Sequence, residues 1–372
     1  MSIPKDVLKF EEKAIMELRA LYKRSGYSHY KMSKFEEYEL YAHNRAFLAA
    51  DDIITFTDSG GRLMALRPDV TLSIVKNLKV LPNVTKKLYY NENVYRSGGD
   101  DREFKEQMQA GLECIGDIDL YSMCEVITLA DLSLKTFGRR HRIDISHMGF
   151  LSGMLADCDL SDSLADEIAV CISEKNAPQL EKLCDTHGLA CAFKERIVTL
   201  ASLYGPFETA VGTLREISTN EKTDEALKEL EDIFDVLTTT GAAENLYIDF
   251  SVINDMNYYN GIIFQGFVDG VPSAVLFGGR YDSLLQKFGK SSGAIGFAVY
   301  LDLLERLYED NAENEVDALL IYDGAASAKQ VAEAVKKLSE AYKSVKAVCG
   351  DTAGITYKKQ FSFKDGRLDE LA

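Results

Sequence analysis

Histidine is scarce in this chain of 372 residues: there are five, and none clusters with cysteines or carboxylates. The seven cysteines are an odd number and form no Cys-x-x-Cys pair, so neither a zinc site nor a disulfide framework is written in the spacing. The expectation is a chain without metal or cofactor, its thiols reduced and mostly buried. Positive charge is short as well. Lys and Arg number 42 against 59 Asp and Glu, a net charge of −17, and doublets such as Lys86-Lys87 and Arg139-Arg140 are as dense as the basic residues become. Phosphate neutralisation dominates affinity for nucleic acid, so this balance argues against a nucleic-acid partner. No apolar run approaches the roughly 20 residues of a membrane helix. The opening MSIPKDVLKFEEK has no apolar signal core, and a cytoplasmic protein is expected. Internal repeats and low-complexity segments are absent. What remains, 46% hydrophobic and 27% charged residues, is a globular balance with room for two or three domains.

The stretch that organises the rest is KLYYNENVYRSGGDDREFKEQMQAGLECIGD, residues 87 to 117. It predicts two strands, Leu88–Arg96 and Gln107–Ile115, around a charged loop with a Gly98-Gly99 turn. On the second strand Met108, Ala110, Leu112 and Cys114 share one face, while Gln107, Gln109, Gly111 and Glu113 share the other. That polar row is either a solvated face or a floor satisfied by other side chains or a ligand; the pattern leaves both open.

Taken in order, Asp6–Ser25 predicts an amphipathic helix stopped by Gly26. Ile53–Phe56 and Leu63–Leu66 flank a hairpin turn at Asp58-Ser59-Gly60-Gly61. Pro68 is expected to start a helix in LRPDVTLSIVKNL, with Arg67, Asp69 and Thr71 at its mouth, where Asp69 and Thr71 would serve as caps or as ligand contacts. Tyr121–Thr136 reads as a helix. Residues 150 to 240 read as five helices, Ser161–Lys175, Ala177–His187, Ala190–Tyr204, Glu208–Ile217 and Asp224–Thr238, inserted between strand-rich blocks. Strands return at Leu246–Ile253, Ile262–Val268, Ser273–Phe277 and Gly293–Tyr300, and a helix follows to Tyr308. After an acidic linker, Val316–Tyr322, Ser327–Tyr342 and Ser344–Val348 form one βαβ unit with a weak end beyond it.

Three stretches together resemble the histidyl-tRNA synthetase catalytic domain. They are LRPDVT at 66, the hairpin with Tyr95-Arg96 and Gln109-Ala110-Gly111-Leu112-Glu113, and NYYNGIIFQGF with FGGRYDSLL between 257 and 285. The likeness runs over about residues 3 to 308. It implies an α+β fold, a class II aminoacyl-tRNA synthetase-like antiparallel sheet flanked by helices. The synthetase-like domain would span 1–310 with a helical insertion at about 150–242, and a small C-terminal α/β domain would span 313–372. In that family the pocket holds histidine. The resemblance puts Asp69, Thr71 and Gln109 toward the α-ammonium, Arg96 toward the carboxylate, and Glu113 with Tyr259 toward the imidazole. Tyr258 and Tyr281 would line the pocket. The pairing is chemically apt: a cation needs acceptors, a carboxylate a guanidinium, an imidazole a carboxylate or phenol.

The departures bear on activity. Activating an amino acid with ATP needs fixed cations on the phosphates. The synthetase pattern has Arg-x-Glu where this chain has Arg96-Ser97-Gly98, an arginine where it has Asn254, and another where it has Leu303; Tyr300 replaces a small residue in the nucleotide cleft. Asp69 is shorter than the usual Glu. A synthetase fold with its amino-acid pocket kept and its ATP cations gone resembles the regulatory subunit of ATP phosphoribosyltransferase. That resemblance implies a non-catalytic chain that activates a short catalytic partner at the first step of histidine biosynthesis and takes part in histidine feedback. It also implies a self-dimer within a hetero-oligomer, although Met32-Ser33 stands where the dimer motif usually has a proline. The alternative is a divergent histidyl-tRNA synthetase.

Overall fold

The structure, a computed structural model, describes residues 8–44, 53–79, 84–98, 103–158, 160–252, 258–309, 314–350, 352 and 354–371. Asn254, Asn257, Gly99 and most of the acidic linker lie outside these residues. The chain divides into two compact units, Met1–Leu307 and Tyr308–Ala372.

The first unit is built on a sheet of nine strands among the described residues. Their spatial order is Ser28–His29, Lys86–Gly98, Glu103–Gly116, Gly293–Tyr300, Leu276–Arg280, Ile262–Val268, His141–His147, Leu246–Asp249 and Tyr204–Pro206. Pairing is antiparallel except for Ser28–His29 on Lys86–Gly98 and His141–His147 on Leu246–Asp249, which are parallel. Glu103–Gly116 pairs with its hairpin partner on one side and with Gly293–Tyr300, far along the chain, on the other.

Alternation along the hairpin divides two cores. Ala110, Leu112 and Cys114 bury against the helices Phe10–Arg24 and Leu120–Lys135 through Leu18, Leu21, Met123, Val126 and Ile127. The opposite face carries Tyr90, Val94 and Ile115. They pack with Val70, Leu72 and Ile74 of the helix Val70–Asn77 and with Leu284 and Leu285. The polar row thus faces into the protein. The first helix ends as its sequence predicts: Gly26 sits at φ 83°, and the Tyr27 amide reaches back to the Tyr22 carbonyl at 3.0 Å.

Three expectations need correction. Pro68 precedes the helix, which begins at Val70 with Asp69 as its N-cap. The strand expected at Ser273–Phe277 runs instead over Leu276–Arg280, through Gly278-Gly279. The insertion is not all helix: Tyr204–Pro206 adds a short strand on Leu246–Asp249 and stitches the helices to the sheet. Its helices, Asp162–Ser173, Ala177–Thr186, Cys191–Ser202, Phe207–Ile217 and Glu221–Thr240, otherwise follow the predicted order. Ser161, Asn176 and Asn220 cap three of them, and Gly241 at φ 79° ends the last. Phe35–Glu37, Leu63–Leu66 and Thr55–Thr57 form a small separate sheet.

In the second unit Val316–Tyr322 and Val345–Cys349 are parallel and joined by the helix Ala328–Ser339, the expected βαβ. The weak end is a real hairpin, Tyr357–Lys364 with Arg367–Leu371. Phe361 and Phe363 help bury this unit's own core with Ala318, Leu320 and Leu338.

Candidate functional site

The LRPD segment is fixed first. Arg67 is fully buried and donates to the Ser33 carbonyl at 2.6 Å, to Glu92 at 2.9 Å and to the Asn93 carbonyl at 2.9 Å. Its own carbonyl accepts from the Tyr95 amide at 3.0 Å. Arg67 is therefore a clamp that holds the helix mouth against the hairpin. Asp69 caps the helix, one oxygen accepting from the Leu72 amide at 2.7 Å, while its other oxygen stands 3.9 Å from the Arg96 guanidinium. Thr71 takes no part in the cap through its side chain.

Arg96 donates through Nε to the Pro68 carbonyl at 2.9 Å and through Nη1 to the Tyr300 hydroxyl at 3.3 Å. The Tyr300 ring stands 5.8 Å from the guanidinium carbon and packs edge-on to Phe277 at 5.3 Å. Leu303 is half-buried against the main core. Two of the altered nucleotide-side positions are thereby an aromatic beside Arg96 and an apolar core contact.

Glu113 lies at the centre and is 2% exposed. It accepts from the Thr71 hydroxyl at 2.7 Å and from the Tyr281 hydroxyl. Burial pushes its carboxyl up to about 8, against the pull of the two hydroxyl donors, and the nearby Asp69 adds to the rise. Its neighbour across the sheet is Gly296, where a Cβ would overlap Glu113 Oε2 and the Leu112 carbonyl. A Cβ at Gly279 would come within 2.7 Å of Tyr259 Cδ1, and one at Gly111 within 2.6 Å of Tyr90 Cζ. Glycines thus let large side chains lie flat on the strands.

Tyr258 packs on Tyr259 at 4.6 Å and Tyr281 at 5.8 Å between ring centroids, and it hydrogen-bonds Thr71. Burial holds all three phenols above their ordinary range, so they are neutral donors. Gln109 is 3% exposed, on the same strand face as Glu113, and its Nε2 has no partner. The structure joins Thr71, Glu113, Tyr258 and Tyr281 by hydrogen bonds, Asp69 to Arg96 by charge, and Tyr259 by ring contact. Gln109 bonds to none of them. Tyr90 escaped the sequence reading, although the signal was there: it stands directly opposite Gly111 in the hairpin. Among the described residues no group of three His, Cys, Asp or Glu side chains could hold a metal ion. Among the described residues no helix is long and apolar enough to cross a membrane.

The histidyl-tRNA synthetase family model matches residues 3–304. An ATP phosphoribosyltransferase regulatory subunit from Acetivibrio thermocellus is 30% identical over 340 residues, covering 86% of this chain and 79% of that protein. A solved ATP phosphoribosyltransferase regulatory subunit/histidyl-tRNA synthetase from Bacillus halodurans aligns with TM-score 0.74 at 26% identity, covering 95% of this chain and 93% of that one. A chain of the ATP phosphoribosyl transferase complex from Thermotoga maritima shares the fold at TM-score 0.63 and 19% identity, covering 79% of this chain and 97% of that one.

Proposed function

This chain belongs to the family of ATP phosphoribosyltransferase regulatory subunits, built on the histidyl-tRNA synthetase fold, and we propose that it works without catalysis of its own. It regulates the first step of histidine biosynthesis by assembling with a catalytic phosphoribosyltransferase chain. The finer reading is that it activates a short catalytic chain, self-dimerises within the hetero-oligomer and takes part in histidine feedback. Its histidine pocket would comprise Asp69, Thr71, Arg96, Gln109, Glu113, Tyr258, Tyr259 and Tyr281.

The observation that carries this is the nucleotide side of the site. Amino-acid activation would need guanidinium groups turned to the ATP phosphates. Leu303, where the synthetase pattern has an arginine, lies against the core instead, and Tyr300, in place of a small residue, accepts from Arg96 and packs on Phe277. The amino-acid side of the site, by contrast, keeps a buried carboxylate, three phenols and a buried amide donor without a partner.

Activation by a non-catalytic subunit works through differential affinity for two states of its partner, and about 1–3 kcal/mol gives roughly a 5- to 150-fold effect. Mixing the chain with a short ATP phosphoribosyltransferase should give a complex on size-exclusion chromatography and a faster rate, and added histidine should slow the complex. Gln109→Ala should blunt that inhibition. The isolated chain should show only background pyrophosphate exchange with histidine and ATP; clear histidine-dependent exchange would restore the synthetase reading. No complex and no change in rate would reject the regulatory mechanism.

A further inference from the structure

The proposed histidine pocket is not evenly prepared for a ligand. Gln109 offers a buried N–H with no acceptor, so the site has an unmet demand at one place. At Glu113 the situation is reversed. Its Oε2 accepts from Tyr281 and lies so close to the backbone at Gly296 that no ligand atom can approach from that side. Its Oε1 is the oxygen left for a ligand, and the Thr71 hydroxyl already sits on it at 2.7 Å. With Glu113 only 2% exposed, there is no solvent to take up a displaced bond. A ligand N–H that reaches Oε1 must share that oxygen with the Thr71 hydroxyl or displace it, and either way it gains less than it would from an unengaged oxygen.

Resting on the histidine-pocket reading above, we propose that Thr71 is an internal competitor for Glu113, a hydroxyl latch that weakens histidine binding and sets the concentration at which the chain responds. The family likeness put Thr71 on the ligand's ammonium; the geometry puts it on the ligand's acceptor. The two roles predict opposite signs. A ligand contact strengthens binding, and a competitor weakens it.

Thr71 is well placed to act without disturbing its helix. Asp69 supplies the cap, so the Thr71 hydroxyl is not needed for the first turn. Tyr258 hydrogen-bonds Thr71, so the hydroxyl keeps a partner after it gives up Glu113. An entering amino acid that meets the Gln109 Nε2 donor with its carboxylate, and not with the ammonium the likeness assigned there, and meets Glu113 with a side-chain N–H would leave the Thr71 hydroxyl to its remaining partner, Tyr258. The helix Val70–Asn77 is thereby linked to occupancy.

The test is calorimetric titration of L-histidine into the full chain. Thr71→Val, close to isosteric, should bind histidine roughly 3- to 10-fold more tightly, the worth of one competing neutral hydrogen bond. Thr71→Ser, which keeps the hydroxyl, should bind like the wild type. Weaker or unchanged binding by Thr71→Val overturns the latch while leaving the pocket in place. No heat of binding in the wild type and in every variant overturns the latch and the histidine pocket together. Should Thr71→Val fail to fold, Thr71→Ala carries the same expectation of tightening and the same refutation.

Discussion

Glu113 binds its proton more tightly in the folded chain than in the unfolded one. Its carboxyl rises from an ordinary 4.5 to about 8 because it is buried. The folded state therefore holds the extra proton between those two values, so this residue's contribution is fully present below about pH 4.5 and is lost as pH rises toward 8. The expected slope is at most about 1.4 kcal/mol per pH unit across that window. Urea unfolding at pH 5 and pH 8 should show the decline, and Glu113→Gln should flatten it. An equal slope in the variant would place the proton elsewhere. Tyr300 makes a smaller claim. Tyr300→Phe removes one acceptor from Arg96 but leaves the Pro68 carbonyl and Asp69, so the loss should stay near 0.5–1.5 kcal/mol, about one hydrogen bond. Denaturant midpoints would measure it. The eight candidate pocket residues came from the family likeness; the strand pattern alone singled out Gln109 and Glu113 as part of a polar row and left open whether that row faced solvent or the interior. The sequence could not say that Thr71 and Tyr281 would both turn to Glu113. That choice depends on side chains drawn together from residues 71, 113 and 281, and spacing along the chain does not encode it.

At the scale of elements, the hairpin was legible because a period of two over long strands is a strong signal. The strand Leu276–Arg280 was legible only at its start, because paired glycines weaken a strand signal. Its glycines serve packing instead: the Phe264 ring lies against Gly278 and the Tyr259 ring against Gly279. The terminal hairpin was missed despite a usable cue, Asp365-Gly366 between runs containing Phe361 and Phe363. Both turn residues have positive φ, 51° and 75°, as a tight hairpin turn demands. Phe35–Glu37 is too short to carry a pattern. Gly111 gives the sharpest test of the glycine floor. A Cβ there would overlap the Phe297 carbonyl and the Tyr90 hydroxyl, and backbone cannot step aside as a flexible side chain can. Gly111→Ala should cost about 1–3 kcal/mol or more by thermal or urea unfolding. A neutral outcome would mean that Tyr90 does not lie over the strand. The helix Val70–Asn77 is secured at its far end too, where Lys290 donates to the Leu78 carbonyl at 2.7 Å and to the Val75 carbonyl.

At the scale of the molecule, the two units keep separate cores, one drawn wholly from residues 318 to 363. A chain ending at Glu309 should therefore still unfold cooperatively, with a midpoint close to that of the full chain by circular dichroism. Loss of cooperative unfolding would show that the C-terminal unit supports the first. The nine-stranded sheet has another property, which belongs to time and not to the finished fold. Glu103–Gly116 borders Gly293–Tyr300 along eight residue pairs, and the whole helical insertion is threaded between them in sequence. During synthesis the second strand emerges roughly 180 residues after the first, which at about 5–20 residues per second is roughly 10–40 s. Throughout that interval the strand Glu103–Gly116, the longest among the described residues, offers an unpaired edge, a template for joining another nascent chain. The insertion that completes one end of the sheet also delays the closing of its middle, so the nascent chain is open to misassembly until Gly293–Tyr300 arrives.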